Sequence, residues 1–142
     1  MSPPVPSFGR PIPLRAALLL LLLTAPALAQ TPMSPAEFEA WSTGKTLSYS
    51  LGDTLLGAEA YFPGRRVRDA DTGGPCIDGS WHAQGDAVCF VYPARSGTHC
   101  WSFWRDGDAV FARPLGAATD DPAQRVTEAA TPLSCPGPEV GV

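Results

Sequence analysis

The sequence predicts a small, mainly β domain, either an antiparallel β-sandwich or an open barrel of about seven or eight strands, preceded by one short N-terminal helix. Between residues 45 and 113, short apolar or alternating runs are separated by Gly, Pro and Asp about every ten residues, which is typical of antiparallel strands joined by turns. The chain of 142 residues also has four cysteines, as small disulfide-bonded domains do. Residues typical of a helix N-terminus lie near Ser34, before the first predicted strand.

Residues 1–29 have the pattern of a secretory signal peptide. Arg10 and Arg15 precede an apolar run over residues 16–23, and Ala27 and Ala29 supply the small residues that a signal peptidase requires. The run is much shorter than the roughly 20 residues that span a bilayer, which disfavours a membrane anchor. We therefore expect cleavage after Ala29 and a periplasmic or secreted domain over residues 30–131, not attached to the membrane.

The charge of the chain excludes one class of function. The sequence has 10 Lys and Arg against 14 Asp and Glu, and removal of residues 1–29 takes away two of the arginines. Because an acidic protein has no general attraction to polyanions, we exclude nucleic-acid binding. The abundance of Ala, Arg, Gly and Pro, with a single lysine and no asparagine, indicates a GC-rich bacterial genome.

The first structural element of the mature chain is predicted to be a helix that begins at Ser34. Ser34 can cap free amide groups, Pro35 suits the first helical position, and Glu37 can complete a capping box. Phe38 and Trp41 lie three residues apart and share one face. A helix this short is unstable alone, so we expect these two rings to pack it against the strands.

Seven strands are predicted after the helix, and an eighth is possible. The seven span residues 46–51, 56–62, 65–70, 76–82, 87–92, 99–104 and 109–113, and the possible one spans 125–129. Residues 132–142 contain three prolines and are expected to form an irregular tail.

The cysteines are expected to form two disulfides, and the strand register disfavours one pairing. If residues 83–86 form the turn between the fourth and fifth strands, Trp81 lies opposite Val88. Cys76 and Cys89 are then about four strand residues apart, or roughly 13 Å, which is beyond the reach of a disulfide.

The next hairpin indicates which cysteines pair. Placing Cys89 opposite Cys100 puts four apolar side chains on the other face of the hairpin: Val88, Phe90, Trp101 and Phe103. Because the apolar pattern and this disulfide require the same register, we predict Cys89–Cys100 and, by elimination, Cys76–Cys135. A metal site that uses the cysteines with His82 and His99 is disfavoured, because close C-x-x-C pairs are missing. We expect no metal and no cofactor.

Five residues are candidates for ligand or partner binding. Trp104 has the opposite parity from the core aromatics and could stack on a sugar or a partner side chain near Tyr92, with Arg95 in the following loop. Arg66 and Arg68 point to the same side of their strand and could bind a phosphate or an acidic surface. The alternatives are that the helix or tail covers Trp104 and that neighbouring carboxylates pair with the arginines in solvent.

The sequence contains no recognised catalytic motif. It has no G-x-S-x-G, no glycine-rich phosphate loop and no H-E-x-x-H. Asp69, Asp71 and Asp78 could supply a carboxylate pair, but aspartates next to glycines usually form turns. The sequence therefore favours a protein that is not an enzyme.

Three segments share a strand pattern with other domains. They are residues 76–81 with Gly79-Ser80-Trp81, residues 85–92 with Cys89-Phe90, and residues 100–103 with Cys100-Trp101. They resemble small exported bacterial domains of unknown function with a Gly-x-Trp strand, a Cys-Phe strand and a Cys-aromatic strand. The resemblance implies a disulfide-bonded β-domain and no particular activity. In architecture alone, the chain is similar to periplasmic inhibitors of lysozymes and proteases, and architecture does not assign function.

We therefore expect a noncatalytic periplasmic or secreted binding module. Its partner would be an envelope protein or a cell-wall glycan, contacted through the loop of residues 93–98 and exposed aromatic rings. The alternatives are a periplasmic inhibitor of an envelope hydrolase, a small envelope hydrolase, and a stability factor without a ligand. The sequence indicates neither the ligand nor the oligomeric state.

Overall fold

The computed structural model of the protein describes Met1, Gly9 and residues 30–135. The predicted signal peptide, apart from Met1 and Gly9, and residues 136–142 of the predicted tail lie outside the described residues. Within the described part of the chain, no helix is both long enough and apolar enough to cross a membrane.

The described residues form one helix and nine strands, which are joined by turns and loops. In chain order they are β1 (Thr31–Met33), α1 (Pro35–Ser42), β2 (Thr46–Leu51), β3 (Thr54–Phe62), β4 (Arg66–Asp71), β5 (Ile77–Gln84), β6 (Ala87–Val91), β7 (Thr98–Asp106), β8 (Ala109–Pro114) and β9 (Gln124–Glu128). All seven predicted strands are present, and the possible eighth strand is β9.

Strands β2 to β9 form a closed antiparallel barrel. Each strand pairs with the next one along the chain, and β9 pairs with both β8 and β2, which closes the ring. The prediction of a mainly β barrel with one short helix is confirmed. The sandwich alternative is wrong and the barrel is closed rather than open, because β9 supplies the pairing that removes both free edges.

β1 is a ninth strand that the sequence did not predict. Its three residues are too few to show alternation, and Pro32 cannot donate a backbone hydrogen bond. It pairs with Phe103, Trp104 and Arg105 of β7, beyond the point where β6 begins to pair with β7 at Val88. β1 therefore continues the line of β6 at the edge of the barrel.

The predicted disulfides, Cys89–Cys100 and Cys76–Cys135, are both present. Cys89 lies opposite Cys100 and Val88 opposite Trp101, as predicted. The predicted register of the preceding hairpin, β5 with β6, is wrong by two residues, since Trp81 lies opposite Phe90 rather than Val88. Gly85 has a φ of 57°, which allows a two-residue turn in place of the predicted four-residue turn. A shift of two residues leaves every side chain on its predicted face.

Helix α1 covers one end of the barrel. The Ser34–Glu37 capping box forms as predicted, and Phe38 is fully buried. The centre of the Phe38 ring lies 4.4 Å from that of Phe103 and 5.5 Å from that of Trp81. We call this the closed end. The turns on the opposite side, at residues 52–53, 72–76, 92–97 and 115–123, surround the open end.

Candidate functional site

A cavity of about 280 Å³ occupies the barrel interior at the open end. We call it the mouth cavity. Aromatic rings form much of its wall, and they come from β2, β6, β7 and the residue after β6: Tyr49, Phe90, Tyr92, Trp101 and Phe103. They face inward because successive strand residues point to opposite faces. Phe103 also packs on Phe38, so the cavity extends to the aromatic core beneath α1.

Glu59 is a buried carboxyl group in the wall of this cavity. Its residue is only 4% exposed. The Tyr61 hydroxyl donates to Glu59 Oε2 at 2.5 Å, and the Tyr92 hydroxyl donates to Oε1 at 2.6 Å. The Tyr49 and Tyr61 hydroxyls are also hydrogen-bonded to each other. Side chains from β2, from β3 and from the residue after β6 thus meet around one carboxyl group.

Burial determines the charge state of Glu59. Removal from water disfavours the carboxylate and raises the pKa of Glu59 to about 7, although the hydrogen bonds from Tyr61 and Tyr92 oppose this rise. The same burial, together with the charge of Glu59, raises the pKa of the Tyr92 and Tyr61 hydroxyls. Glu59 therefore gains or loses its proton near neutral pH, and the tyrosines remain protonated donors.

Gly79 makes room for the Tyr92 ring. A Cβ atom at residue 79 would lie 2.4 Å from Cδ1 of Tyr92 and 2.7 Å from the Val91 carbonyl oxygen. Only glycine permits this approach. In the Gly79-x-Trp81 motif, the glycine therefore leaves space for the Tyr92 ring, whereas Trp81 fills the barrel at the closed end.

Arg95 crosses the opening of the mouth cavity. Its Nη1 donates to Asp69 Oδ2 at 2.8 Å and its Nη2 to Asp71 Oδ2 at 3.0 Å. The guanidinium carbon lies 5.2 Å from the centre of the Tyr92 ring. Burial raises the pKa of Asp69, and the hydrogen bond from Arg95 partly opposes that rise. The loop between β6 and β7 is thereby attached to β4.

The structure brings two of the five predicted binding residues together. Tyr92 and Arg95 both line the mouth cavity. Trp104 is on the outer wall, only 8% exposed, next to the ring of Phe111. Arg113, also on β8, lies over the Trp104 ring with its guanidinium carbon 5.0 Å from the ring centre, so side chains of β8 cover it. Residues 136–142 of the tail, which were expected as a possible cover, lie outside the described residues.

The predicted arginine pair is also outside the cavity. Arg66 and Arg68 are exposed on the outer face of β4. Arg68 Nε donates to Asp78 Oδ1 at 2.6 Å, and the guanidinium of Arg66 lies 5.8 Å from the centre of the Phe62 ring. Of the three aspartates considered as a carboxylate pair, Asp69 and Asp71 meet at the mouth, whereas Asp78 is on the outer wall.

Sequence reasoning missed the group centred on Glu59. A usable signal was present, because Gly57, Glu59 and Tyr61 alternate along β3 and share the inward face with apolar neighbours. A carboxyl group at an inward position is expensive to bury, and it therefore marks a functional or network site.

The arrangement offers aromatic surface, carboxyl groups and hydroxyl donors around one cavity. Among the described residues, no three His, Cys, Asp or Glu side chains are grouped closely enough to hold a metal ion. Comparisons with protein-family models, with curated proteins and with solved structures find nothing that matches this chain.

Proposed function

We propose that the protein is a noncatalytic binding module of the bacterial periplasm or extracellular space, which takes a small, partly apolar ligand into the mouth cavity. The observation that carries the proposal is the cavity of about 280 Å³ with aromatic walls and a few polar groups. Concave sites of this composition are the usual binding places of small molecules.

The bracing of the barrel supports this proposal. The Cys89–Cys100 disulfide joins β6 to β7, which carry Phe90, Trp101 and Phe103. Walls that are fixed before binding lose little conformational entropy when a ligand enters. A closed barrel with joined walls is therefore a suitable scaffold for recognition.

The pairing of the polar groups favours binding over hydrolysis. Arg95 pairs with both Asp69 and Asp71, and Glu59 accepts hydrogen bonds from two tyrosine hydroxyls. A hydrolytic site would instead need a nucleophile or a water held between an acid and a base.

A neutral aromatic probe tests the proposal. We expect 2-phenylethanol, added to ¹⁵N-labelled mature protein, to shift the indole N–H resonance of Trp101 and the backbone resonances of Phe90 and Tyr92. The indole N–H of Trp104 on the outer wall should stay in place. Trp101→Ala should weaken binding, and Trp104→Ala is the matched control. Absent or evenly scattered shifts would contradict a cavity site.

The second candidate function is inhibition of an envelope hydrolase. It is favoured by apolar side chains exposed at the open end: Leu51 (39%), Leu55 (52%) and Leu115 (53%). Leu51 and Leu55 flank the turn at residues 52–53, and contiguous exposed apolar surface is typical of protein contact sites. If this function holds, the protein inhibits a lysozyme or a serine protease, and Leu115→Asp relieves the inhibition. Full activity of both enzymes in the presence of excess protein would argue against it.

A further inference from the structure

The mouth cavity carries more negative than positive charge. Glu59, Asp69 and Asp71 contribute carboxyl groups, and Arg95 contributes one guanidinium group to the same wall. His99 faces the cavity from β7. A pocket of this charge attracts cations, and its aromatic walls reduce the screening by water.

Arg95 shows how the cavity binds a cation. Its guanidinium group lies over the Tyr92 ring and donates hydrogen bonds to two carboxylates. A ring face is the negative part of an aromatic quadrupole, so this is a cation–π contact combined with charged hydrogen bonds. The mouth therefore already holds one organic cation, which belongs to its own chain.

Glu59 lacks such a partner in the described structure. Its hydrogen-bond partners there are the hydroxyls of Tyr61 and Tyr92, and no basic side chain of the described residues forms a salt bridge with it. Each carboxylate oxygen can accept a second hydrogen bond. Rings of the cavity wall, Phe90 and Trp101 among them, line the same space.

We infer that the mouth cavity binds a protonated primary amine that has an aromatic or aliphatic part. The ammonium group lies beside Glu59 among the rings of the cavity wall, and the apolar part contacts Phe90, Trp101 and Phe103. This inference rests on the proposed function, since it names the ligand class for the same cavity. Its driving forces are ion pairing, cation–π attraction and burial of apolar surface.

Binding of a cation at Glu59 must be coupled to its proton. Because the pKa of Glu59 is about 7, a neighbouring ammonium group favours the ionised carboxylate and releases a proton. Affinity should therefore rise by about tenfold from about pH 6 to about pH 8. The titratable and charged groups that face Glu59 or share its cavity are the hydroxyls of Tyr49 on β2, Tyr61 on β3 and Tyr92 after β6, with Asp69 and Asp71 on β4, Arg95 in the loop and His99 on β7.

Three probes of similar shape and different charge test the inference on the mature protein. They are 2-phenylethylammonium chloride, 2-phenylethanol and sodium 3-phenylpropanoate, measured by calorimetry and by the Trp101 indole resonance. We expect the ammonium probe to bind about tenfold more tightly than the alcohol at about pH 8, and the carboxylate to bind most weakly. Near pH 6 the advantage of the ammonium probe should shrink.

A pair of matched variants assigns the effect to Glu59. Glu59→Gln should lose most of the preference for the ammonium probe over the alcohol, and the part of the pH dependence that Glu59 causes. Asp108→Asn makes the same charge change in an exposed turn at the closed end and should preserve both properties. If Glu59→Gln keeps the full pH dependence of the unchanged protein, the assignment of the ammonium site to Glu59 is wrong.

The outcomes separate the inference from the proposed function. If the alcohol binds as tightly as the ammonium probe in the unchanged protein, the cavity is a binding site and the cation preference is wrong. If none of the three probes shifts the Trp101 resonance, the proposed function itself fails. Should Glu59→Gln not fold, the comparison of the three probes on the unchanged protein still decides the inference.

Discussion

At the scale of single residues, Glu59 makes the stability of the protein depend on pH near neutrality. Its pKa is raised from 4.5 to about 7, so the folded protein keeps a proton that the unfolded chain has lost between these values. The free energy of unfolding should therefore fall by about 3 kcal/mol as pH rises through this window, with the contribution gone above about pH 7. Urea denaturation at pH values between 4.5 and about 7 measures this change in the free energy of unfolding. Glu59→Gln should flatten the curve, and an equal slope in both proteins would refute the assignment.

Gly79 is a second residue whose effect can be measured separately. Gly79→Ala places a methyl group against the Tyr92 ring, which must move and lose its hydrogen bond to Glu59. We expect a loss of about 2 kcal/mol of unfolding free energy, measured by urea denaturation. Ser80→Ala, exposed on the same strand, is the control and should change little. Equal stability of the two variants would mean that the ring adapts without cost.

Residue-level prediction from sequence succeeded where the pattern is local or repeated on paired strands. The Ser34 cap and the disulfide partner of Cys89 depend on a few neighbouring residues and on alternation. The group around Glu59 instead requires Tyr49, Tyr61 and Tyr92 from separate strands to meet, and their relative position depends on the curvature of the closed barrel. Local pattern cannot supply that information.

At the scale of elements, α1 is held mainly by packing rather than by its cap. Phe38 is fully buried among four aromatic rings of the barrel, whereas the Ser34–Glu37 capping box is exposed. Phe38→Ala should cost about 4 kcal/mol of unfolding free energy and Ser34→Ala about 1 kcal/mol. Thermal and urea denaturation of both variants measure the difference. Comparable losses would show that the helix stabilises the protein through its own helical stability and not through the packing of Phe38 against the barrel.

The hairpin of β5 and β6 shows the limit of element prediction. The residues around Gly85 permit a turn of two or four residues, and both choices keep Trp81 and Phe90 facing inward. The sequence pattern therefore identifies the face of each strand but not its partner residue. β1 shows a related limit, because its pairing is set by the free part of β7 rather than by its own three residues.

At the scale of the whole molecule, closure of the barrel depends on contacts between distant parts of the chain. β9 must pair with β2, and the separation between them along the sequence spans most of the domain. Alternation predicted β9 only as a possible strand, since a single short run carries little information. Local pattern could therefore not predict closure, although it did predict eight of the nine strands, their antiparallel order and the helix.

The two disulfides should stabilise this closed molecule in different ways. Cys76–Cys135 encloses a loop of 59 residues and ties the chain beyond β9 to the start of β5, so its removal by a double Cys→Ser change should cost about 4 kcal/mol. Cys89–Cys100, separated by 11 residues, should cost about 3 kcal/mol when removed in the same way. Only the second bridge joins strands that carry the aromatic wall, so only its loss should also weaken binding of 2-phenylethanol. Urea denaturation and titration of both double variants measure the two effects. If the first pair of substitutions weakens binding as strongly as the second, the bridge between β6 and β7 is not what keeps the cavity in shape.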